Sequence, residues 1–233
     1  MLTLVTLTGA DNKTNISKIE ELSAEFPFVE WGFLIGSSFR GRFPTPSFFE
    51  ELAGVQLNFS LHFCGGPLNY LLDGNLVLHP SIPYKIFQRY QLNFHGESIS
   101  EKFASNLLKV EELKSHQIIV QMDGVNNWVL DFLLENGLDA VGLFDESHGA
   151  GVLPEKWPIA KQSLVGYAGG LGPENIKEQL KSIEKVSKAN FWIDMETKVR
   201  TNDIFDLDKC RKVLEICMEY KNQRSLLNNI EHF

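Results

Sequence analysis

Short apolar runs alternate along the chain with segments in which apolar residues recur every three or four positions. The first run, residues 4–8, precedes Ile16, Ile19 and Leu22, whose spacing places them on one face of a helix. The same plan repeats through the rest of the sequence. Strands are predicted at residues 4–8, 29–35, 57–63, 86–94, 118–122, 140–144, 164–168 and 191–195.

Capping residues indicate where the intervening helices begin. Thr45 precedes Pro46, and proline is favoured at the first helical position. Ser98 and Glu101 have the spacing of a capping box, which predicts a helix from there to about residue 113. The helices after strands two, four, five, seven and eight are expected to start at Thr45, Ser98, Asn127, Pro173 and Asp206.

Eight strand and helix pairs, each spanning about 25 to 30 residues, predict a closed (β/α)8 TIM barrel that occupies residues 1–233 as a single domain. An open α/β sheet is the alternative. Its usual GxGxxG motif is missing after the first strand, where residues 8–12 contain only Gly9. We therefore expect no dinucleotide and no other cofactor.

Composition narrows the choice of partner and compartment. A net charge of −8 without a basic run argues against nucleic acid. No apolar stretch approaches the about 18 residues of a membrane span, and the N-terminus is strand-like and lacks the pattern of a signal peptide. The 3 cysteines have no CxxC spacing and are expected to be buried and reduced. We expect a cytoplasmic protein that binds a small phosphorylated or carboxylated metabolite, in an oligomeric state that the sequence does not indicate.

Polar residues directly follow most of the predicted strands. In a barrel these positions converge on one rim, where active sites lie. The candidates for catalysis are Asp145, His62, Asp11 and Glu196, and those for ligand binding are Arg40, Arg42, Thr8, Gly169, Gly170, Leu171, Gly172, Lys198 and Arg200.

The sharpest local motif is the glycine-rich turn at residues 168–175. Glycines let the backbone approach an anion, and the N–H groups that begin a helix point at it. The turn follows predicted strand seven, where barrels often bind phosphate. It is therefore a candidate phosphate site, and a tight turn without a ligand is the alternative.

Three further features carry possible chemistry. Asp145 follows strand six and can act as a general acid if burial raises its pKa, whereas a loop salt bridge is the alternative. Arg40 and Arg42 can clamp a carboxylate or phosphate, or can be ordinary surface charges. The histidines at 62, 95 and 148 follow different strands, and their spacing alone does not predict a metal site.

These motifs resemble the phosphoribosylanthranilate isomerase family, whose members are eight-stranded barrels that perform an Amadori rearrangement in tryptophan synthesis. Residues 168–175 are similar to that family's AGGL-x-P-x-N loop, and residues 144–151 to its LLDS and GGTG segment. Weaker similarities are residues 32–40 to GF and S-x-R, and residues 91–96 to QLHG. The resemblance implies that Asp145 is the general acid and that Arg40 meets the substrate's carboxylate.

The resemblance fails at two strand ends. Thr8 stands where the family has the cysteine that serves as its base, and a threonine hydroxyl is too weak a base to replace it. The family's DVSSGVE segment corresponds to residues 194–200, where Glu196 would repel a phosphate unless Lys198 or Arg200 offsets its charge. His62, Asp11 or Glu196 must then supply the base, with His62 the leading choice.

Two hypotheses follow from this pattern. One is a divergent, isomerase-like enzyme acting on a phosphorylated sugar or similar small anionic metabolite. The other is a catalytically silent barrel that binds such a ligand. We favour the enzyme because the rim holds more ionisable groups than binding requires. Turnover of phosphoribosylanthranilate itself is expected to be slow or absent, because the base is missing.

Overall fold

A computed structural model describes residues 1–147, 150–160, 162–187 and 190–230, with side chains described as far as residue 226. Eight parallel strands close into a barrel in sequence order, so the predicted (β/α)8 fold is confirmed. The strands are β1 (Leu2–Thr8), β2 (Val29–Ile35), β3 (Phe59–Phe63), β4 (Arg89–Leu92), β5 (Gln117–Met122), β6 (Ala140–Phe144), β7 (Leu164–Tyr167) and β8 (Asn190–Met195).

Helices pack around the outside of the barrel. They are α1 (Ile16–Glu25), α2 (Pro46–Leu52), α3 (Gly66–Leu72), α4 (Glu101–Leu107), α5 (Asn127–Glu135), α6 (Ile176–Val186) and α7 (Leu207–Ile230). A hairpin of two short strands, β9 (Arg200–Thr201) and β10 (Ile204–Phe205), precedes α7. Within the described residues no helix is long and apolar enough to cross a membrane.

Several predicted boundaries were wrong. Strand four is shorter than residues 86–94, because a 3-10 turn at Tyr84–Ile86 occupies its start. Ser98 does not cap α4, since Ser100 accepts the N–H of Phe103 instead. The helix predicted to reach residue 113 is α4 followed by a separate 3-10 segment, Glu111–Ser115. Strand three starts at residue 59 instead of 57.

Two further helix starts also differ. The N-cap of α5 is Asn126 and not Asn127, because Asn127 turns back to accept the N–H of Gly124. α6 begins at Ile176, three residues after Pro173, because the glycine turn continues as far as Asn175. Between β6 and β7 the described residues contain no helix, so the sixth unit is a strand followed by a loop.

The sheet and its helices enclose an aromatic core. Phe33 on β2 packs edge-on against Phe49 of α2 and Phe59 of β3, with ring centroids 6.0 Å and 5.4 Å away. Edge-to-face pairs of this kind add to the free energy of burying the rings. The phenylalanines of this region are therefore part of the hydrophobic core, and residues that could bind a ligand are found in the barrel interior instead.

The barrel interior is unusual because it contains a buried ion pair. Arg89 on β4 donates from Nε to Glu30 on β2 at 2.7 Å and from Nη2 at 2.5 Å, and Thr6 donates to the same carboxylate at 2.9 Å. Arg89 is 7% exposed and Glu30 2%. The guanidinium of Arg89 lies 4.6 Å from the ring centre of Trp192. Although burial raises the pKa of Glu30, Arg89 more than offsets this effect, and the net pKa is lowered.

We predict that Arg89→Met lowers the free energy of unfolding by about 3–5 kcal/mol, because it leaves the buried Glu30 without its counter-charge. Urea unfolding monitored by circular dichroism measures the change. Lys114→Met is the matched control, since Lys114 forms an exposed ion pair with Glu111 at 2.6 Å and should cost less than about 1 kcal/mol. Equal effects of the two substitutions would contradict the prediction.

Candidate functional site

A narrow cleft opens at the carboxyl end of the barrel. Side chains from β1, β3, β4, β5 and β8 form its floor, and the loops after β6, β7 and β8 form its walls. The cleft has a volume of about 60 Å³. This space suits a small polar group.

Asp145 lies in the cleft as predicted. Its carboxylate oxygens accept hydrogen bonds from two residues. Gln121 donates to its Oδ2 at 3.1 Å. The hydroxyl of Ser147 donates to its Oδ1 at 2.7 Å, and the N–H of Ser147 does so at 3.1 Å. Hydrogen bonds of this kind favour the ionised form of a carboxyl group.

Asp194 also lines the cleft, from the end of β8. The hydroxyl of Thr8 donates to its Oδ1 at 2.7 Å, and both residues are almost fully buried. Burial raises the pKa of Asp194 to about 7, and the negative charges of Glu196, Glu30 and Asp145 add to this effect, while the Thr8 bond opposes it. Asp194 is therefore a carboxyl group that gains and loses a proton near neutral pH.

His62 lies at the bottom of the cleft and is 1% exposed. Its Nε2 is 2.9 Å from the hydroxyl of Ser60. A Cβ on Gly32 would lie 2.9 Å from this nitrogen and would also overlap Thr8 Oγ1, so glycine at position 32 lets the two side chains approach. Burial lowers the pKa of His62 to about 3, and Arg89 adds to this effect while Glu30 opposes it. The imidazole is neutral and a poor base.

The glycine turn presents free donors to one side of the cleft. Among the described residues, the N–H groups of Gly170 and Leu171 donate to no acceptor. The N–H of Gly172 is already used, because it donates to Asn175 Oδ1 at 3.0 Å. A Cβ on Gly170 would lie 2.5 Å from the backbone nitrogen of Leu153, so the loop after β6 packs directly over this residue.

Two charged residues after β8 face the cleft. Glu196 is held by Arg42, whose Nη1 lies 2.5 Å from its Oε1, and Arg42 also binds Asp203 at 2.7 Å. Arg42, and not Arg200, therefore offsets the charge of Glu196. Lys198 is exposed beside Gly172 and forms no ion pair within the described part of the chain.

Five candidates lie outside the cleft lining, namely Asp11, Arg40, Arg42, Gly172 and Arg200. Asp11 and Arg200 form a buried ion pair at 2.7 Å, and Arg200 also binds the carbonyl of Gly9 and the loop at Asp203. Each is engaged in fixing the hairpin to the first loop, so neither is available to a ligand in the cleft. Arg40 is exposed and does not line the cleft either.

Sequence reasoning placed Asp194 at a strand end but did not choose it as a catalytic residue, and it emphasised His62 instead. The signal that could have found Asp194 is its place at the carboxyl end of β8, next to β1 in the closed barrel, where Thr6 pairs with it in register. Gln91 was missed as well. It lines the cleft, and its buried Oε1 accepts no hydrogen bond from the described residues.

A metal site is not indicated. The described residues include no group of three or more His, Cys, Asp or Glu side chains that could hold a metal ion. His148, the third of the histidines considered, lies outside the described residues. Cys210 and Cys217 are buried free thiols, and Cys64 at the cleft edge of β3 is partly buried.

Solved structures of similar architecture are known. Phosphoribosyl anthranilate isomerase from Thermococcus kodakaraensis is 12% identical, with a TM-score of 0.53 over 93% of this chain and 99% of that chain. The enzyme of the same name from Pyrococcus furiosus is 13% identical, with a TM-score of 0.54 over 93% of this chain and 99% of that chain. Phosphoribosylanthranilate isomerase from Thermotoga maritima is 18% identical, with a TM-score of 0.50 over 93% of this chain and 98% of that chain.

At these identities the likeness shows the fold alone. No protein-family model matches the chain, and no curated protein sequence matches it. The fold and the cleft together define a (β/α)8 barrel whose architecture is similar to that of phosphoribosylanthranilate isomerases, with a polar cleft where such barrels carry their sites.

We predict that the ring of His62 remains neutral from pH 8 down to pH 5, because its folded pKa lies near 3. Imidazole chemical shifts measured by NMR across this range report the titration. The exposed His79 provides the comparison within the same spectra. A midpoint for His62 near 6.5 would contradict the prediction and return it to the candidates for the base.

Proposed function

We propose that this protein is a divergent enzyme that transfers protons within a small anionic metabolite of the phosphorylated-sugar class, in an isomerase-type reaction. The observation that carries the proposal concerns one cleft. The carboxyl groups of Asp145 and Asp194 face it, and so do the free backbone N–H groups of Gly170 and Leu171. Acid-base chemistry requires the carboxyl groups, and anion binding requires the N–H groups.

Anion binding is supported on one side of the cleft. Gly170 and Leu171 offer N–H groups, and Lys198 adds a positive charge beside them. Arg42 neutralises Glu196, which would otherwise repel a phosphate. A phosphate group is about the size that the cleft accommodates. Larger parts of a substrate would extend towards the loop after β6, where Val152 and Leu153 are partly exposed.

Two aspartates of the cleft support the proposed proton transfer. Asp145 directly follows β6 and Asp194 lies on β8, and both line the same space. Different environments surround the two, which is the pattern that lets two carboxyl groups take different roles at one pH. Thr8 does not act as a base. It holds Asp194 instead.

We predict that Lys198→Met weakens the binding of inorganic phosphate about 2- to 10-fold at low ionic strength, the scale expected for one exposed charge beside an anion. Isothermal titration calorimetry measures the dissociation constant. Lys181→Met is the matched control, because Lys181 is an exposed lysine of α6 outside the cleft. An equal loss in both variants, or no phosphate binding by the native protein, would count against the anion site.

We predict that Asp145→Asn lowers kcat by about 100-fold or more with the fold intact, the usual effect of losing a positioned proton-transfer group. The assay follows exchange of carbon-bound hydrogen with D2O in five- and six-carbon sugar phosphates by 1H NMR. Asp131→Asn on the exposed face of α5 should leave the rate unchanged. An unchanged rate in Asp145→Asn would defeat the mechanism.

A silent ligand-binding barrel is the second candidate. The packing of Leu153 over Gly170 favours it, because a covered turn restricts entry of a full substrate. Phosphate binding by the native protein without exchange in any sugar phosphate would select this function over the enzyme.

A further inference from the structure

The two aspartate carboxyl groups of the cleft have surroundings that differ in a way that assigns them separate roles. The carboxylate of Asp145 accepts three hydrogen bonds, from Gln121 and from the N–H and hydroxyl of Ser147. Asp194 accepts one, from Thr8, and is 6% exposed. The donors around Asp145 occupy both of its oxygens, whereas the single donor to Asp194 leaves one oxygen to carry a proton.

We infer that Asp194, held in place by Thr8, is the proton donor of the cleft, and that Asp145 is the base. This inference rests on the proposed function. It differs from the role that the sequence resemblance implies for Asp145, because it follows from the hydrogen bonds around each group. Thr8 is a positioning residue here, since its hydroxyl fixes Oδ1 and leaves Oδ2 of Asp194 to carry the proton.

The charges around Asp194 are consistent with this role. Glu196 follows β8, Asp145 directly follows β6, and Glu30 lies on β2 within the barrel. Neighbouring β1 contributes the uncharged Thr8, and β7 pairs with the residues before Asp194, Gly166 with Trp192 and Tyr167 with Ile193. Three negative charges and burial together hold the pKa of Asp194 near 7, so the group can give up and recover a proton at neutral pH.

The proton-transfer step balances without another reactant. The carboxylate of Asp145 takes a proton from the carbon next to the ligand's carbonyl group, and the electron pair of that C–H bond forms a carbon–carbon double bond. The O–H bond of Asp194 breaks, and its proton goes to the carbonyl oxygen, which gives an enediol. In the second half Asp145 returns its proton to the other carbon, and Asp194 recovers one from the neighbouring hydroxyl.

The first experiment needs no substrate. With 13C-labelled aspartate, NMR should show one carboxyl resonance that titrates with a midpoint near pH 7 and that disappears in Asp194→Asn. Asp131→Asn should leave this resonance in place. Thr8→Val should raise the midpoint, because the bond from Thr8 lowers the pKa, and Thr8→Ser should restore it. A midpoint for Asp194 below about 5, the range of an ordinary aspartate, would overturn the inference.

The second experiment separates this inference from the proposed function. A general acid must be protonated, so deuterium exchange into sugar phosphates should fall about tenfold per pH unit above pH 7. In Asp194→Asn the rate should drop about 100-fold, and the remaining rate should lose this alkaline decline. Exchange that rises through pH 7 would make Asp194 the base and overturn the inference alone. No exchange in any sugar phosphate would overturn the proposed function, and the catalytic role of Asp194 with it.

Discussion

The buried ion pair between Glu30 and Arg89 is the constraint on which the barrel interior depends. Charges without water must be paired, and a barrel of eight strands leaves no room for solvent at its centre. Arg89 reaches from β4 to Glu30 on β2, past the strand between them, and stacks on Trp192 of β8. The pair therefore ties three strands together where other barrels hold layers of aliphatic side chains.

Burial is the main cause of the pKa shifts of His62 and Asp194 in the cleft above, and the charges of this ion pair modify both. Arg89 lies close enough to His62 to help keep the imidazole neutral, and Glu30 adds to the negative charge that keeps Asp194 protonated. The histidine that position alone favoured as a base thus serves as a neutral, buried part of the floor. The proton chemistry shifts to the carboxyl groups of Asp145 and Asp194.

The sequence predicted the fold well because strand and helix periods repeat eight times, and closure then brings the strand ends to one rim. It predicted Asp145, Thr8, Glu196 and the glycine turn as cleft residues for the same reason. It could not show that Arg200 turns away from the cleft to bind Asp11. Lys198, two residues earlier, lines the cleft, and the sequence does not show which of these side chains faces it. Nor could it show that Asp194 is buried or how its pKa shifts, because both depend on packing and on the charges of Glu196, Glu30 and Asp145 around it.

A crystal structure of the protein grown at neutral pH with inorganic phosphate tests the central claim most directly. The account predicts one anion bound by the N–H groups of Gly170 and Leu171 beside Lys198, with the carboxyl groups of Asp145 and Asp194 facing the space next to it. A glycine turn that stays empty and closed by Val152 and Leu153, while phosphate occupies another surface, would contradict it.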